Sequence, residues 1–277
     1  MPNLELELKT GLSTFRRIAL GTWRTTGDPS VYGSVDVRMD SALRYIEEFR
    51  QKTGRRLTVT HLVARAIAQV LKETPDANAL LRFSRIYLRK RIGVFLQVAM
   101  TDQGEGKVDL SGVTVYDVAE RTLVELVDDV QTKVELVRQR SDPHLERSRK
   151  LMDRIPSPLI GPALSALSFL TLGLNLDLSR FGIPRDPFGS VMVTNVGSLG
   201  LDTAFVPLIP YSRVPILIAV SAVKDTPVVE DGKVVPAKVM RLNATFDHRF
   251  IDGYHAATMS KTVRAWLEHP YDHFDAL

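Results

Sequence analysis

The hydrophobic positions of the chain follow two periods, and each period predicts a different element. Residues 31–39 alternate between apolar and polar side chains, which predicts a strand. After Thr122, apolar side chains recur at steps of three and four residues and predict the clearest amphipathic helix of the sequence. The apolar, branched run 92–100 predicts a buried strand, and residues 108–116 predict its neighbour.

Two further helices are predicted in the N-terminal half. Ser41 is a plausible N-cap of the first, and Gly54 supplies a common helix stop. The second begins near Thr60 with one continuous apolar face and ends before Pro75, because proline breaks a helix interior. The first of these helices follows the strand at 31–39, so the N-terminal half reads as strand, helix, helix.

The last hundred residues predict strands, a hairpin and a closing helix. Segments 214–223 and 228–246 have strand character, and Asp231 followed by Gly232 predicts a hairpin turn within the second. Near the C-terminus, apolar residues line one side of a helix: Ala256, Met259, Val263 and Leu267. Because strands and helices are interspersed without strict alternation, we expect an α/β fold of the α+β type, with a mixed sheet and helices packed on it.

Composition narrows the class of protein. The chain has 277 residues, 44% hydrophobic and 25% charged, which suits a globular protein with one sizeable core. We find no internal repeat and no long linker, so we expect a single domain, 1–277. There is no GxGxxG or GxxxxGK[ST] motif, which argues against a dinucleotide or P-loop nucleotide enzyme.

Charge and cysteine content exclude several functions. The formal net charge of +4 is scattered along the chain, so we expect no nucleic-acid partner. The sequence contains no cysteine, which excludes disulfides, thiolate-metal sites and a cysteine nucleophile. Acidic residues near the N-terminus stand where an export signal requires a basic start and an apolar core, so we expect a cytoplasmic protein.

One segment stands apart from the rest. Residues 155–176 carry no charge, and Arg154 and Arg180 flank them. A membrane-spanning helix needs about 20 apolar residues, whereas this run spends several positions on proline, glycine and serine, so we expect no full span. From Pro162 onward, four leucines can share a helix face: Leu164, Leu167, Leu174 and Leu178. We favour burial of this face in an oligomer, and the alternative is an interfacial helix at a membrane surface.

The stretch FDHRFIDGYH, residues 246–255, carries the candidate chemistry. A neutral imidazole has an ordinary pKa of about 6.5 and accepts a proton near neutral pH, so His248 is a candidate general base. Asp252 would fix the loop through an ion pair with an arginine, and Gly253 would let the backbone turn sharply into the following helix. The alternative is a polar patch on an ordinary turn. The spacing of His248, Asp252 and His255 is not one that zinc sites use, so we expect no metal.

These residues carry a resemblance to a known family. Residues 247–255 resemble the HxxxDG signature of the chloramphenicol acetyltransferase and dihydrolipoyl (2-oxo acid dehydrogenase) acyltransferase superfamily. Residues 191–200 resemble its FTISNLGxxG strand and turn, and residues 214–223 fall where its PQAAILGVG strand falls. Weaker similarity covers residues 12–20 and 57–81.

The resemblance implies a fold, a reaction and an assembly. It implies a chloramphenicol-acetyltransferase-like fold, a central mixed β-sheet flanked by helices. His248 would take the proton from a thiol of coenzyme A or of a dihydrolipoyl arm. Thr194, 54 positions earlier in the sequence, would donate a hydrogen bond from a neighbouring subunit of a homotrimer to the oxyanion. Site support would come from further residues: Asp252 paired with Arg16 or Arg17, Gly253, and Asn195 in its turn. For Thr194 the alternative is a buried strand threonine whose hydroxyl is satisfied locally.

The sequence also departs from the family. We expect no lipoyl domain and no subunit-binding domain in this chain, so coenzyme A or acyl-CoA would serve as substrate, or a separate carrier would deliver the acyl group. Residues 102–112 lack the GLIVPV run, which leaves the thiol channel and the acceptor open. The segment at about 155–180 is a hydrophobic insertion relative to the family.

Three functions remain open at this stage. The leading one is a stand-alone trimeric acyltransferase with His248 as general base. The second is a catalytically silent trimeric scaffold or partner subunit, associated with a membrane surface through residues 155–180. The third and weakest is a condensation-type domain, whose usual double histidine is absent because position 247 is aspartate.

Overall fold

The computed structural model describes residues 2–10, 29–101, 108–139, 141 and 155–277. Within these ranges the helices are α1 Asp40–Thr53, α2 Val59–Glu73, α3 Leu123–Arg138, α4 Ser157–Ser168, α5 Gly253–Glu268 and α6 Pro270–His273. The strands are β1 Leu6–Leu8, β2 Ser30–Arg38, β3 Ala79–Arg82, β4 Arg85–Arg89, β5 Gly93–Thr101, β6 Val108–Tyr116, β7 Val191–Asn195, β8 Ile216–Val220, β9 Lys224–Glu230 and β10 Lys233–Asp247.

A mixed seven-stranded sheet forms the centre of the fold. Its order is β2-β10-β8-β7-β5-β6, with β9 paired to the first half of β10. Strands β5, β7 and β8 run parallel to one another, and the other pairings are antiparallel. The expected mixed sheet is therefore confirmed, as are the pairing of β5 with β6 and the hairpin at Asp231 and Gly232, both of which have positive φ.

The two faces of the sheet bury different side chains. Val37, Ile218 and Leu242 point to the helix-covered face and join the main core with α2 and α5. On the opposite face, Met192 and Leu217 form a smaller apolar cluster with Val214. Since successive residues of a strand point to opposite faces, the register of each strand decides which side chains lie on which face of the sheet.

The predicted helix ends are right in most places and wrong at one. Gly54 ends α1 in the left-handed conformation at φ 68°, as the sequence predicts, and Thr122 caps α3 by accepting a hydrogen bond from the Glu125 backbone. Ser41 is not an N-cap: α1 begins at Asp40, and its N-cap Met39 makes no side-chain cap. Asp40 in the first turn interacts favourably with the helix dipole instead.

A buried histidine closes the N-terminus of α2. The Thr58 backbone N–H donates to His61 Nδ1 at 3.1 Å, so the ring serves the capping box in the place of the usual glutamate or glutamine. His61 is buried, and this burial lowers its pKa to about 4. The protein therefore folds around a neutral imidazole at this position.

The segment at 155–180 packs against a small second sheet of order β1-β4-β3. Leu172 is buried against Leu4 and Leu80, and Asn175 exchanges hydrogen bonds with the backbone of Leu4. The predicted helix from Pro162 to Leu178 is wrong in its bounds. Helix α4 begins at Ser157 and contains Pro162, a wider π-type turn follows over Phe169–Gly173, and Leu174 and Leu178 lie beyond the helix.

Several large apolar side chains of this region remain exposed. Phe83 at the β3–β4 turn packs edge-to-face on Phe169, and both are exposed. Further exposed apolar residues of the segment are Leu159, Leu170, Leu174, Leu176 and Phe181. Among the residues described, no helix has both the length and the apolar character needed to cross a membrane.

The depressed pKa of His61 predicts a pH dependence of stability. An unfolded histidine binds a proton below pH of about 6.5, whereas the folded ring resists protonation down to about pH 4. The stability that His61 contributes is thus complete above about pH 6.5 and is lost as pH falls toward 4, by up to about 3 kcal/mol. Urea unfolding between pH of about 7 and about 4.5 measures this slope.

The matched control for this slope is His61→Gln. Glutamine keeps an acceptor for the Thr58 N–H and does not titrate, so the variant is expected to lose less stability on acidification than the wild-type chain. Equal slopes for the two proteins would contradict the assignment.

Candidate functional site

The turn between β10 and α5 is held by its own backbone. The carbonyl of Asp247 accepts hydrogen bonds from the N–H groups of Phe250 at 3.3 Å and Ile251 at 3.0 Å. The buried carboxylate of Asp247 also binds the Arg249 guanidinium through three contacts, the shortest at 2.6 Å. Because both partners lie inside the turn, the position of His248 between them is fixed locally.

His248 is oriented from both ends. Its backbone N–H donates to the Pro29 carbonyl at 2.8 Å, and its Nδ1 lies 2.9 Å from the Ile251 carbonyl oxygen. A carbonyl oxygen only accepts, so Nδ1 carries the proton and a neutral ring has its lone pair on Nε2. The side chain is half-buried. The imidazole therefore has the tautomer that a general base needs.

Asp252 caps the helix that follows. Its carboxylate accepts hydrogen bonds from the N–H groups of Tyr254 and His255, each at 3.1 Å, and it lies 2.7 Å from His255 Nδ1. This is the N-cap of α5. The expected ion pair with Arg16 or Arg17 concerns two residues that lie outside the described part of the chain.

The structure assigns a role to His255 and changes the interpretation of Gly253. His255, whose role the sequence left open, is part of the α5 capping box with Asp252. Gly253 begins α5 without a positive φ, and a Cβ placed there meets no atom within 4 Å. The interpretation of Gly253 as a sharp-turn glycine is therefore wrong, because neither its backbone conformation nor the space around it requires glycine.

Thr194 lies at the end of β7 and is partly exposed. Its hydroxyl makes no hydrogen bond to the residues that the structure describes, so the local satisfaction expected of a structural strand threonine is absent there. The next residues form the predicted turn: the Asn195 side chain accepts from the Ser198 N–H at 3.0 Å and donates to the Thr60 hydroxyl at 3.0 Å. Ser198 donates its hydroxyl to the Asn195 carbonyl, which agrees with a turn residue.

One chain does not bring Thr194 and His248 together. Thr194 pairs with Ala219 of β8, whereas Phe246, two residues before His248, pairs with Ile216. The two side chains are thus five residue steps apart along the strands, or about 16 Å, and two strands apart across the sheet. They can share a site only if they come from different copies.

A cavity of about 390 Å³ adjoins the turn. Its lining includes Pro29, Asp247, Arg249 and Phe250, and also Arg213 from the loop before β8. Sequence reasoning missed Arg213, since a charged residue ahead of an apolar strand is an ordinary surface pattern. Within the described ranges there is no group of three or more histidine, aspartate or glutamate side chains that could hold a metal ion.

Comparison with known proteins gives a match over most of the chain. The catalytic-domain model of the 2-oxoacid dehydrogenases acyltransferases matches residues 19–144 and 188–274, and it leaves 145–187 unmatched. The dihydrolipoyllysine-residue acetyltransferase component of the acetoin cleaving system of Bacillus subtilis (strain 168) is 25% identical over 221 residues. These cover 79% of this chain and 44% of that protein, so the chain spans less than half the length of this curated relative.

Solved structures share the fold. The cubic core of a pyruvate dehydrogenase multienzyme complex superposes with a TM-score of 0.65 at 20% identity, covering 97% of this chain and 93% of that one. A dihydrolipoamide acetyltransferase of Azotobacter vinelandii, studied for the catalytic roles of a serine, a histidine and an asparagine, superposes with a TM-score of 0.65 at 20% identity. The match covers 96% of this chain and 93% of that one. Chloramphenicol acetyltransferase superposes with a TM-score of 0.50 at 13% identity, covering 95% of this chain and 100% of that one. The expected chloramphenicol-acetyltransferase-like fold is confirmed.

Proposed function

The chain belongs to the 2-oxoacid dehydrogenase acyltransferase family, catalytic-domain type, and we propose that it transfers an acyl group between coenzyme A, or a lipoyl or carrier thiol, and an acceptor. The observation that carries this proposal is the contact between His248 Nδ1 and the Ile251 carbonyl oxygen. It holds the ring in the tautomer whose lone pair lies on Nε2, at the motif position that a general base occupies.

The proposed reaction uses that nitrogen twice. Nε2 of His248 takes the proton of the attacking thiol, and the sulfur forms a bond to the carbonyl carbon of the acyl thioester. The tetrahedral intermediate then collapses, the donor C–S bond breaks, and the departing thiolate takes the proton back from the imidazolium. Atoms and charge balance without another reactant.

The oxyanion of that intermediate needs a hydrogen-bond donor, and Thr194 of a second copy is the proposed one. Two observations support this choice: its hydroxyl has no partner among the described residues, and within one chain it lies about 16 Å from His248 along the strands. A site shared between copies requires an oligomer, and we propose a homotrimer that can build a larger assembly. The cubic core with the same fold is such an assembly.

Asp252 is proposed as the structural member of the site. In the Azotobacter vinelandii enzyme, the named asparagine follows the named histidine by four positions, which is the spacing of His248 and Asp252. The N-cap that Asp252 provides anchors α5 directly after the turn, so it supports the histidine from the helix side. Asn195 would support Thr194 in the same way through its turn.

Residues 1–277 are proposed to form one catalytic domain, with an insertion at about 155–180. Its acyl donor would be acyl-CoA or a separate acyl carrier, and the acceptor is not assigned. We propose a cytoplasmic location. The family model leaves residues 145–187 unmatched, which supports an insertion there.

A second function is favoured by one observation, the exposed apolar side chains in and beside residues 155–180. Phe181 and Phe83 are 81% and 62% exposed, and four leucines of the same region are also exposed. A scaffold or partner subunit that attaches to a membrane surface would use such a surface. In this interpretation the protein lies peripherally on the membrane.

The acyltransferase proposal predicts thiol release from acetyl-CoA and longer acyl-CoAs in the presence of acceptor thiols. His248→Ala is expected to lower kcat by about 10²- to 10⁴-fold, since it removes the general base. Thr194→Ala is expected to lower kcat by about 10²- to 10³-fold, because one oxyanion donor is lost. Release that is equally slow in the wild type and both variants, with every donor and acceptor, would favour the scaffold.

The shared site predicts complementation between two inactive variants. When Thr194→Ala and His248→Ala chains are unfolded together in equal amounts and refolded, about a quarter of the interfaces of a mixed trimer pair an intact His248 with an intact Thr194. Activity should return to about that fraction of wild type, while each variant refolded alone stays inactive. No recovery, with trimers verified by light scattering, would place the whole site in one chain.

The membrane alternative predicts flotation with liposomes. The wild-type chain is expected to float with vesicles, whereas a variant lacking residues 155–176 stays at the bottom of the gradient, because it has lost the exposed side chains of Leu159, Phe169, Leu170, Leu174 and Leu176. Equal flotation of the two proteins removes this alternative. A serine substitution at Phe181 serves as a milder variant that leaves the packed residue Leu172 in place.

A further inference from the structure

The cavity beside the catalytic turn combines an apolar wall with cationic groups. Its apolar lining comes from three directions: Leu81 and Phe83 of the β3–β4 hairpin, Leu208, Ile209, Pro210 and Val214 of the loop before β8, and Pro29 and Phe250 beside His248. Arg213 and Arg249 also line it. A volume of about 390 Å³ lies within the range of small-molecule sites.

The two arginines differ in their electrostatic state. Arg249 is neutralised by Asp247 at 2.6 Å. Arg213 forms no ion pair with any carboxylate of the described residues, and it donates to the Ser168 hydroxyl at 3.1 Å and to the Leu81 carbonyl at 3.3 Å. Its charge is therefore held by neutral acceptors only. Burial lowers the pKa of Arg213, and the nearby positive charges of Arg82 and Arg249 lower it further, so an anion at this position would be stabilised.

Residues 155–180 hold the Arg213 guanidinium in place. Ser168, which holds Arg213, ends α4, and the carbonyl of Gly173 in the following turn accepts a hydrogen bond from Arg82 at 2.8 Å. Both acceptors lie in the segment 145–187, which the family model does not match. Arg213, on the cavity wall, and Arg82, next to the lining residues Leu81 and Phe83, are thus both held by a part of this chain that lies outside the family model's match.

The backbone of Arg213 carries a second indication. It has φ 51°, in the left-handed region, which costs free energy for a residue other than glycine. The loop from Pro210 to Ser212 ends in this conformation, and Val214 directly after it is buried against Met192 and Leu217. A strained arginine without an acidic partner, on the wall of a cavity, is the pattern expected of a ligand-binding side chain.

From these observations we infer that the cavity binds the acyl group and that Arg213 recognises a carboxylate at the end of that group. The inference rests on the proposed acyl transfer at His248. The apolar wall would contact the methylene groups of the chain, and the guanidinium would bind the terminal carboxylate by charge-assisted hydrogen bonds. Acyl thioesters of dicarboxylic acids are then the preferred substrates, ahead of neutral acyl groups of equal length.

The test compares succinyl-CoA with butyryl-CoA, whose acyl groups have the same number of carbons and differ in the terminal charge. The wild-type chain is expected to have the higher kcat/KM with succinyl-CoA. Arg213→Gln should lower kcat/KM for succinyl-CoA by about 10- to 100-fold and leave the value for butyryl-CoA nearly unchanged. An equal loss with both substrates would overturn the inference, and would indicate that Arg213 binds a phosphate of coenzyme A, which the two share.

Two control variants separate charge from structure. Arg213→Lys keeps the cation and is expected to retain a large part of the preference for succinyl-CoA. Arg55→Gln removes an arginine that pairs with Asp128 on the exposed surface, and should change neither substrate's kcat/KM. Melting temperatures of all variants show whether a loss of activity reflects unfolding.

A binding measurement makes the outcome independent of turnover. Isothermal titration of the intact chain with each thioester, without acceptor, should give a lower Kd for succinyl-CoA, and Arg213→Gln should remove that difference. If no thioester is turned over but the Kd difference and its loss are observed, the acyltransferase proposal fails while recognition of the carboxylate stands. Equal Kd values for the two thioesters in the wild type would overturn it.

Discussion

The pairing of β10 is the constraint on which the rest of the molecule depends. This strand of fifteen residues pairs with β2 along one side and with β9 and then β8 along the other. It ends at Asp247, so the register of the whole sheet places His248 directly beyond one end of this strand. The same register sets Thr194 level with Ala219, near the far end of β8. A slip by one residue would turn Leu242 out of the core, so burial holds the register.

Much of the fold could be predicted from the sequence because the signals that specify it are local. The alternation in β2 and the three- and four-residue steps in α3 are each read within one element, and Gly54 and Thr122 end or begin helices through their own backbone neighbours. The start of α1 was mispredicted because serine and aspartate are both good first-turn residues, and only the pairing of β2 with β10 decides where the strand ends.

The insertion was harder to predict for a physical reason. Its uncharged sequence allows a helix on either side of Pro162, and the outcome is decided by contacts distant in sequence. Leu172 is buried by Leu4 and Leu80, and that contact ends the helical segment in a wide turn. In the candidate site, too, one part could be predicted from the sequence and another could not. The spacing of His248 and Asp252 pointed to the turn, but the tautomer of the ring depends on where the Ile251 carbonyl points, which spacing does not encode.

His248, the proposed base, and Arg213, the proposed group for selectivity, are held by different parts of the structure. Among the described residues, the turn around His248 is held by bonds inside the motif, from Asp247 to Arg249 and from His248 to Ile251, and by the bond from the His248 N–H to the Pro29 carbonyl. Arg213 has no such local support, and its guanidinium is held by Ser168 and by the β3–β4 hairpin. In the proposed acyltransferase, changes in residues 155–180 can therefore alter which acyl group the cavity accepts through Arg213, while the hydrogen bond that orients His248 stays in place.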